Sequence, residues 1–217
     1  MKLWSDSFQN GEAIPGEFAF CVQDPSTHVK LSANRNPHLA WNGLPAGTRS
    51  LALIVHDPDV PSRGDDVNQE GKTVPAELPR VEFFHWTLID IPATATQIPA
   101  GSFANGVTPR GKSGPAIAAS PLAGARHGIN DYTGWFAQDK EMSGNYFGYD
   151  GPCPPWNDAI AHHYNFTLYA LDIASVPVDG NFTGPQVRQA IAGHILAQAS
   201  ITGLYTLNPA VSIQGRA

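Results

Sequence analysis

The stretch His162–Asp172, HHYNFTLYALD, carries the pattern that decides the fold. Side chains on a strand alternate between its two faces, so His162, Tyr164, Phe166 and Leu168 share one face while His163, Asn165 and Thr167 share the other. Aromatic and β-branched residues dominate it, and Gly and Pro clusters bound it. Two further segments have the same character. Residues 50–56, SLALIVH, form a short continuous apolar run that ends abruptly at Asp57-Pro58, as a buried strand does. Residues 81–90, VEFFHWTLID, alternate so that Val81, Phe83, His85, Thr87 and Ile89 share a face, with His85 among apolar neighbours. These three are the expected central strands.

Weaker strand signals lie at Phe18–Cys21, Leu39–Trp41 and Leu204–Leu207, the last two short enough to be edges. One helix is expected, over 185–199 (PQVRQAIAGHILAQA), where Val187, Ile191 and Ile195 recur every fourth residue, Thr183 stands at the start and Gly203 follows the end. Two long loops, about 58–80 and 92–160, separate the strands, and loops of that length in a compact domain are usually functional. No internal repeat and no low-complexity linker divides the chain. The expectation is a mainly β sandwich with a few peripheral helices and a C-terminal helix, built as a single domain over 1–217.

Composition narrows the function. The chain has 42% hydrophobic and 15% charged residues, with 21 Gly and 19 Pro spread without a period, which suits many turns between short strands. A net charge of −6 argues against nucleic acid or an anionic membrane surface as partner, since either needs a clustered basic face. Cys21 and Cys153 are too few for a disulfide framework and are expected to be two reduced thiols, with a single bridge between them as the alternative. The start MKLWSDSFQNG has no apolar secretory core, and no run approaches the ~20 apolar residues of a membrane span, so a cytoplasmic location without integral membrane contact is expected.

One motif invites a nucleotide. Gly106–Ser113, GVTPRGKS, fits G-x-x-x-x-G-K-[ST] letter for letter. A phosphate loop needs a buried strand before it and a helix starting at its Lys-Ser. Upstream stands TATQIPAGSFAN (94–105), without a strand-like apolar run, and Gly114-Pro115 follow at once. The segment is expected to be a surface loop, with Arg110 and Lys112 left to face an incoming anion.

Polar groups converge elsewhere. Asp57-Pro-Asp-Val-Pro61 forms a rigid corner at the end of the 50–56 strand, because each Pro fixes its own φ and restricts its predecessor. Tyr146–Pro155, YFGYDGPCPP, is a second rigid segment leading toward His162 and Tyr164. At these residues the sequence resembles the phosphatidylethanolamine-binding protein family in its bacterial branch. The matching pieces are DPDVP (57–61), FFHW with IDIP (83–92), YDGPCPP (149–155), HHYNFTLYALD (162–172) and GHILAQASITGLY (193–205), in the family's order, preceded by FQNGEAIPGEF (8–18). The resemblance implies a small cavity for phosphate-like or carboxylate anions, including phospholipid head groups, made by Asp57, His85, Gly151, Pro152, His162 and Tyr164. It also implies a homodimer, as is common among bacterial relatives. His163 stands where the family commonly has Arg, and WNDAIA (156–161) replaces a glycine-rich link, so the mouth of the pocket differs in shape and charge.

The expected function is therefore anion or head-group binding without catalysis, with a regulatory or inhibitory role. A hydrolase using Cys153 beside a histidine, or a scaffold using the aromatic loop at Tyr132, Trp135 and Phe136, are the alternatives. No cofactor is expected. A metal site on His85, His162 and Asp57 is disfavoured because His162 and His163 point to opposite faces.

Overall fold

A computed structural model describes residues 1–118 and 122–213; residues 119–121 and 214–217 of the expected domain lie outside the described residues. The elements in chain order are β1 (Lys2–Trp4), β2 (Cys21–Asp24), β3 (His28–Leu31), β4 (Leu39–Asn42), β5 (Ser50–Pro61), β6 (Arg80–Pro92), β7 (Gln97–Ile98), β8 (Arg126–His127), α1 (Tyr132–Trp135), β9 (His162–Leu171), α2 (Gly184–Ile191) and β10 (Ile195–Tyr205). A single 3-10 turn covers Gly16–Phe18. The central sheet has the order β10-β9-β5-β6-β8, and each of its adjacent pairs is antiparallel. A second sheet has the order β1-β4-β7, and β2 and β3 form a hairpin of their own.

The sandwich follows from which faces are apolar. Alternate residues Leu51, Leu53 and Val55 of β5 and Phe166, Leu168 and Ala170 of β9 pack against Leu3, Leu39, Trp41 and Ile98 of the smaller sheet. The opposite face of the central sheet, with Ala52, Ile54, Phe84 and Ile89, is covered by Val187 and Ile191 of α2. Burying apolar area between layers is what holds such a sandwich together, at roughly 25 cal/mol per Å² removed from water.

The three expected central strands are there, with two differences. β5 does not stop at residue 56 but runs on through Pro61. The DPDVP corner is thus part of the ladder: Asp57 pairs with Phe83 and Val60 with Val81, which leaves one extra residue in β5 between them. Such a bulge is where a sheet tolerates a proline, and Pro58 occupies it. In β6 strict alternation fails for the same kind of reason. Trp86 pairs with Val55 and Phe84 with His56, so His85 is an extra residue. Phe83 and His85 face the main core, the bulge resets the count, and Trp86 and Leu88 face it next, whereas Ile89 belongs to the α2 side.

The helix expected over 185–199 is half helix and half strand. α2 begins at Gly184, with the Thr183 amide donating to Gln186 Oε1 (2.9 Å), and ends at Ile191. Gly193 breaks it, and Ile195–Tyr205 becomes the edge strand β10, paired along its length with Leu171–His162. An open β9 edge offers a full ladder of backbone bonds, which outweighs modest helix propensity. The expected Phe18–Cys21 strand starts only at Cys21, and the expected Leu204–Leu207 edge is the end of β10.

Cys21 and Cys153, expected as separate thiols, form a disulfide across 132 residues, with Cα atoms 4.9 Å apart. Spacing in the chain carries no sign of this. The amides of Phe20 and Cys21 both donate to Pro152 O (2.9 and 3.2 Å), and this pairing sets β2 against the loop that holds Cys153.

Candidate functional site

A cavity of about 550 Å³ opens where three strands of the central sheet turn from apolar to polar on the same face. Asp57 continues the inward row of β5, His85 that of β6, and His162 and Tyr164 begin that of β9. All four line the cavity and are buried. Its walls are aromatic and apolar, from Phe20, Phe83, Tyr132 and Phe136 with Val60 and Met142, and Trp135, 62% exposed, stands at the mouth. Tyr132, Trp135 and Phe136, expected as an exposed aromatic loop, are thus cavity wall: Tyr132 is buried, stacked on Phe20 (4.5 Å between centroids) and on Phe136 (5.5 Å).

His162 is locked between two carboxylates. Its Nδ1 donates to Asp57 Oδ2 (2.7 Å) and its Nε2 to Asp158 Oδ2 (3.1 Å). Arg80 grips the same Asp158 with two bonds, Nη1 to Oδ2 (2.6 Å) and Nη2 to Oδ1 (3.0 Å). The second oxygen of Asp57 accepts the Asp59 amide (2.7 Å). Burial by itself lowers the pKa of His162, but its hydrogen bonds to Asp158 and Asp57, with their charges, outweigh it and push the value up to about 9. The imidazolium and the Arg80 guanidinium balance the two carboxylates. Both N–H groups of His162 are therefore used inside the protein, and none is left to donate to a ligand.

His85 has the opposite character. Its Nδ1 bonds Asp150 O (2.8 Å); a carbonyl only accepts, so Nδ1 carries the hydrogen. Burial lowers its pKa, with Asp57 and the Asp150 contact opposing. The ring is thus neutral near pH 7, and Nε2, which has no partner among the described residues, is a lone pair in the cavity lining. Rings of Phe83 (4.9 Å), Tyr164 (5.1 Å) and Tyr132 (5.8 Å) surround it. The Tyr164 hydroxyl stays protonated far above neutrality, held there by burial and by the Asp57 charge.

Gly151 and Pro152 do not line the cavity. Their polar groups are already engaged: the Gly151 amide donates to Asn34 Oδ1 (2.8 Å), its carbonyl accepts from Tyr132 OH (2.8 Å), and Pro152 O accepts two amides. Glycine is required at 151, since a Cβ there would lie 2.2 Å from Phe18 O. These residues hold the wall from behind.

Arg110 and Lys112 do not line the cavity either. Lys112 turns inward, its side chain only 12% exposed, and pairs with Asp150 Oδ2 (2.8 Å) and the carbonyl of Tyr149. Arg110 is exposed beside Glu141 (3.8 Å). Gly106–Ser113 has neither an entering strand nor a following helix.

Sequence reasoning missed Asp158, Arg80 and Asn157. Asp158 had one available signal, its place four residues before His162. Arg80 had none. Asn157, buried in the unusual WNDAIA link, organises the loop after β5: its Nδ2 reaches the carbonyls of Asp66, Gln69 and Lys72, and its Oδ1 accepts the Asn68 amide. That loop supplies Ser62, Arg63, Val67 and Asn68 to the mouth. His163 points away, paired with Asp59 Oδ2 (2.8 Å) and exposed. Among the described residues no group of three or more His, Cys, Asp or Glu is arranged to hold a metal ion, and no helix is long and apolar enough to cross a membrane.

The protein is 32% identical over 206 residues to the UPF0098 protein YbcL of Escherichia coli (strain K12), covering 95% of this chain and 87% of that protein. It is 28% identical to the UPF0098 protein YbhB of the same strain, covering 95% of this chain and all of that protein. Its fold is similar, with a TM-score of 0.65 and 29% identity over 94% of this chain and 97% of the other, to the crystal structure of Escherichia coli YbcL, described as a new member of the mammalian PEBP family. A family model described as phosphatidylethanolamine-binding protein matches residues 4–206, and the chain belongs to that family.

Proposed function

We propose that this protein binds, without chemical conversion, a small oxyanion of the phosphate or carboxylate class that carries an apolar body, such as a phosphoethanolamine-like head group. One observation carries the reading: the unpartnered Nε2 of His85 lies beside Tyr164 in the lining of a cavity whose walls are otherwise aromatic. The polar end suits an oxyanion and the walls suit its apolar part. The proton count makes the proposal specific. His85 Nε2 is a lone pair at neutral pH, so an oxyanion bonds to it only if one proton is shared between ring and ligand. Affinity therefore rises as pH falls. A phosphate monoester, whose second pKa is about 6, supplies that proton most easily.

Binding is favoured over hydrolysis by two features. The Cys153 sulfur is bonded to Cys21 and is not a free nucleophile. The nitrogens of His162 are both committed to carboxylates, so it cannot accept a proton from a nucleophile. The disulfide also favours an oxidising compartment over the cytoplasm. A homodimer fits the exposed Ile195 and Leu196 at the start of the edge strand β10, and light scattering tests it.

The deciding experiment is calorimetry with inorganic phosphate, acetate and phosphoethanolamine at pH 5.5 and 7.5, on the native protein and on His85→Ala. Tighter binding at pH 5.5 that is lost in His85→Ala is expected. Equal heats for the two proteins would overturn the proposal.

A further inference from the structure

The disulfide forms part of the cavity wall. Cys21 and Cys153 both line the cavity, Cys21 almost fully buried and Cys153 half-buried. We propose that Cys21–Cys153 is a thiol–disulfide exchange site reached from inside the cavity by small thiols, and that its opening loosens the wall against which a ligand packs. The second half rests on the binding function proposed above; the first does not.

The two ends of the bridge are held very differently. Cys21 is fixed by the β2–β3 ladder, by its amide bond to Pro152 O and by its carbonyl, which accepts from Tyr205 OH (2.8 Å). Cys153 lies in a segment without regular structure. Pro154 and Pro155 have no N–H to donate, and the next tethers along the chain are the Pro155 carbonyl, which accepts the Asp158 amide (3.2 Å), and the Trp156 amide on Asn68 Oδ1 (2.9 Å). Between Pro152 and Trp156 the disulfide is therefore the strongest restraint, and Pro154 and Pro155 are themselves lining residues. Opening it leaves Cys21 in place and frees that stretch of wall.

The exchange balances as two displacements. A small thiolate attacks the less buried Cys153 sulfur, forming a mixed disulfide, and Cys21 leaves as a thiolate that takes a proton from water. A second thiolate attacks the mixed disulfide at the sulfur of the small thiol. It releases the oxidised small molecule and the Cys153 thiol, so two thiols are oxidised and one protein disulfide reduced. Because both cysteines line the cavity, an occupant there shields the bridge. By linkage, opening the bridge weakens the occupant's binding in turn.

The test follows opening of the disulfide in the native protein under 2-mercaptoethanol, trapping with iodoacetamide and reading by mass spectrometry. It is run with and without the anionic apolar dye anilinonaphthalene sulfonate, whose seating is followed by quenching of Trp135. The expected result is opening at a rate proportional to thiol concentration, a transient adduct on Cys153, and slowing of at least fivefold with dye seated. A rate independent of thiol concentration, set by global unfolding, would overturn the exchange site, as would an unchanged rate with dye seated. Wall loosening is read by calorimetry with inorganic phosphate on Cys21→Ser/Cys153→Ser, or on reduced and alkylated native-sequence protein if that variant does not fold. A loss of at least fivefold in affinity is expected, and equal affinity overturns this half. If phosphate binds none of these proteins, the proposed function fails, while the thiol-dependence of the opening rate still decides the exchange site.

Discussion

His162 and His85 are buried to nearly the same degree, 1% and 3% exposed, and border the same cavity, yet His162 is a cation and His85 is neutral. The difference is the formal charge of the partner. His162 sits between two carboxylates, which overcome the cost of burying a cation, whereas His85 meets a backbone carbonyl, whose partial charge does not. One histidine is thereby a fixed, charged part of the wall and the other a neutral ring with a free nitrogen, the one to which the proposed function assigns the ligand, although the sequence presents both simply as histidines on strands.

Breaking the carboxylate side has the largest expected effect. Asp158→Asn leaves the Arg80 guanidinium without its carboxylate and the His162 ring with that of Asp57 alone, and loss of about 3–5 kcal/mol is expected from urea unfolding midpoints. A loss below about 1 kcal/mol would mean that the network is not held as a charged unit. The same comparison can be sharpened with pH. The folded pKa of His162, about 9, lies above the unfolded value near 6.5, so its stabilisation is fully present below pH 6.5 and is lost as pH rises through 9. We expect on the order of 3 kcal/mol to disappear between pH 6.5 and 9.5, and the slope to vanish in His162→Gln. Equal slopes in the two proteins would place the protonated group elsewhere. The smallest effect belongs to His85→Gln. It gives up one neutral hydrogen bond, so unfolding free energy should fall by about 1 kcal/mol, with the alkaline slope retained and phosphate binding lost. A drop comparable to that of Asp158→Asn would show His85 to be structural.

Much of the site was legible because strand alternation is local. The inward row His162, Tyr164, Phe166, Leu168 is a periodicity of two, and it places two of the cavity's polar groups without knowledge of any partner, whereas Asp57 entered only through the resemblance at DPDVP. His85 was placed correctly on the cavity face, but the residues grouped with it beyond the bulge, Thr87 and Ile89, were not. A bulge depends on how two strands are registered, and register is a property of the pair. Residues 195–199 misled for a related reason: Ile191 and Ile195 satisfy a helical spacing, while Ala197, Ala199, Ile201, Gly203 and Tyr205 satisfy a strand spacing just as well. The open edge of β9 decided between them.

The sequence alone determined the β-rich class, the three central strands and the side chains that could populate a polar pocket, because these depend on composition and on periodicity along one chain. The tertiary structure alone decided what those side chains became. Asp57 and His162, separated by 105 residues, share a proton-bearing contact of 2.7 Å; Cys21 and Cys153 close a covalent bond over 132 residues; Gly151 and Pro152 turn their polar groups away from the cavity; and Lys112 of the false phosphate loop ends on Asp150. Charge state, covalent pairing and accessibility all depend on distances between segments remote in sequence. Those distances exist only once the sheets have packed.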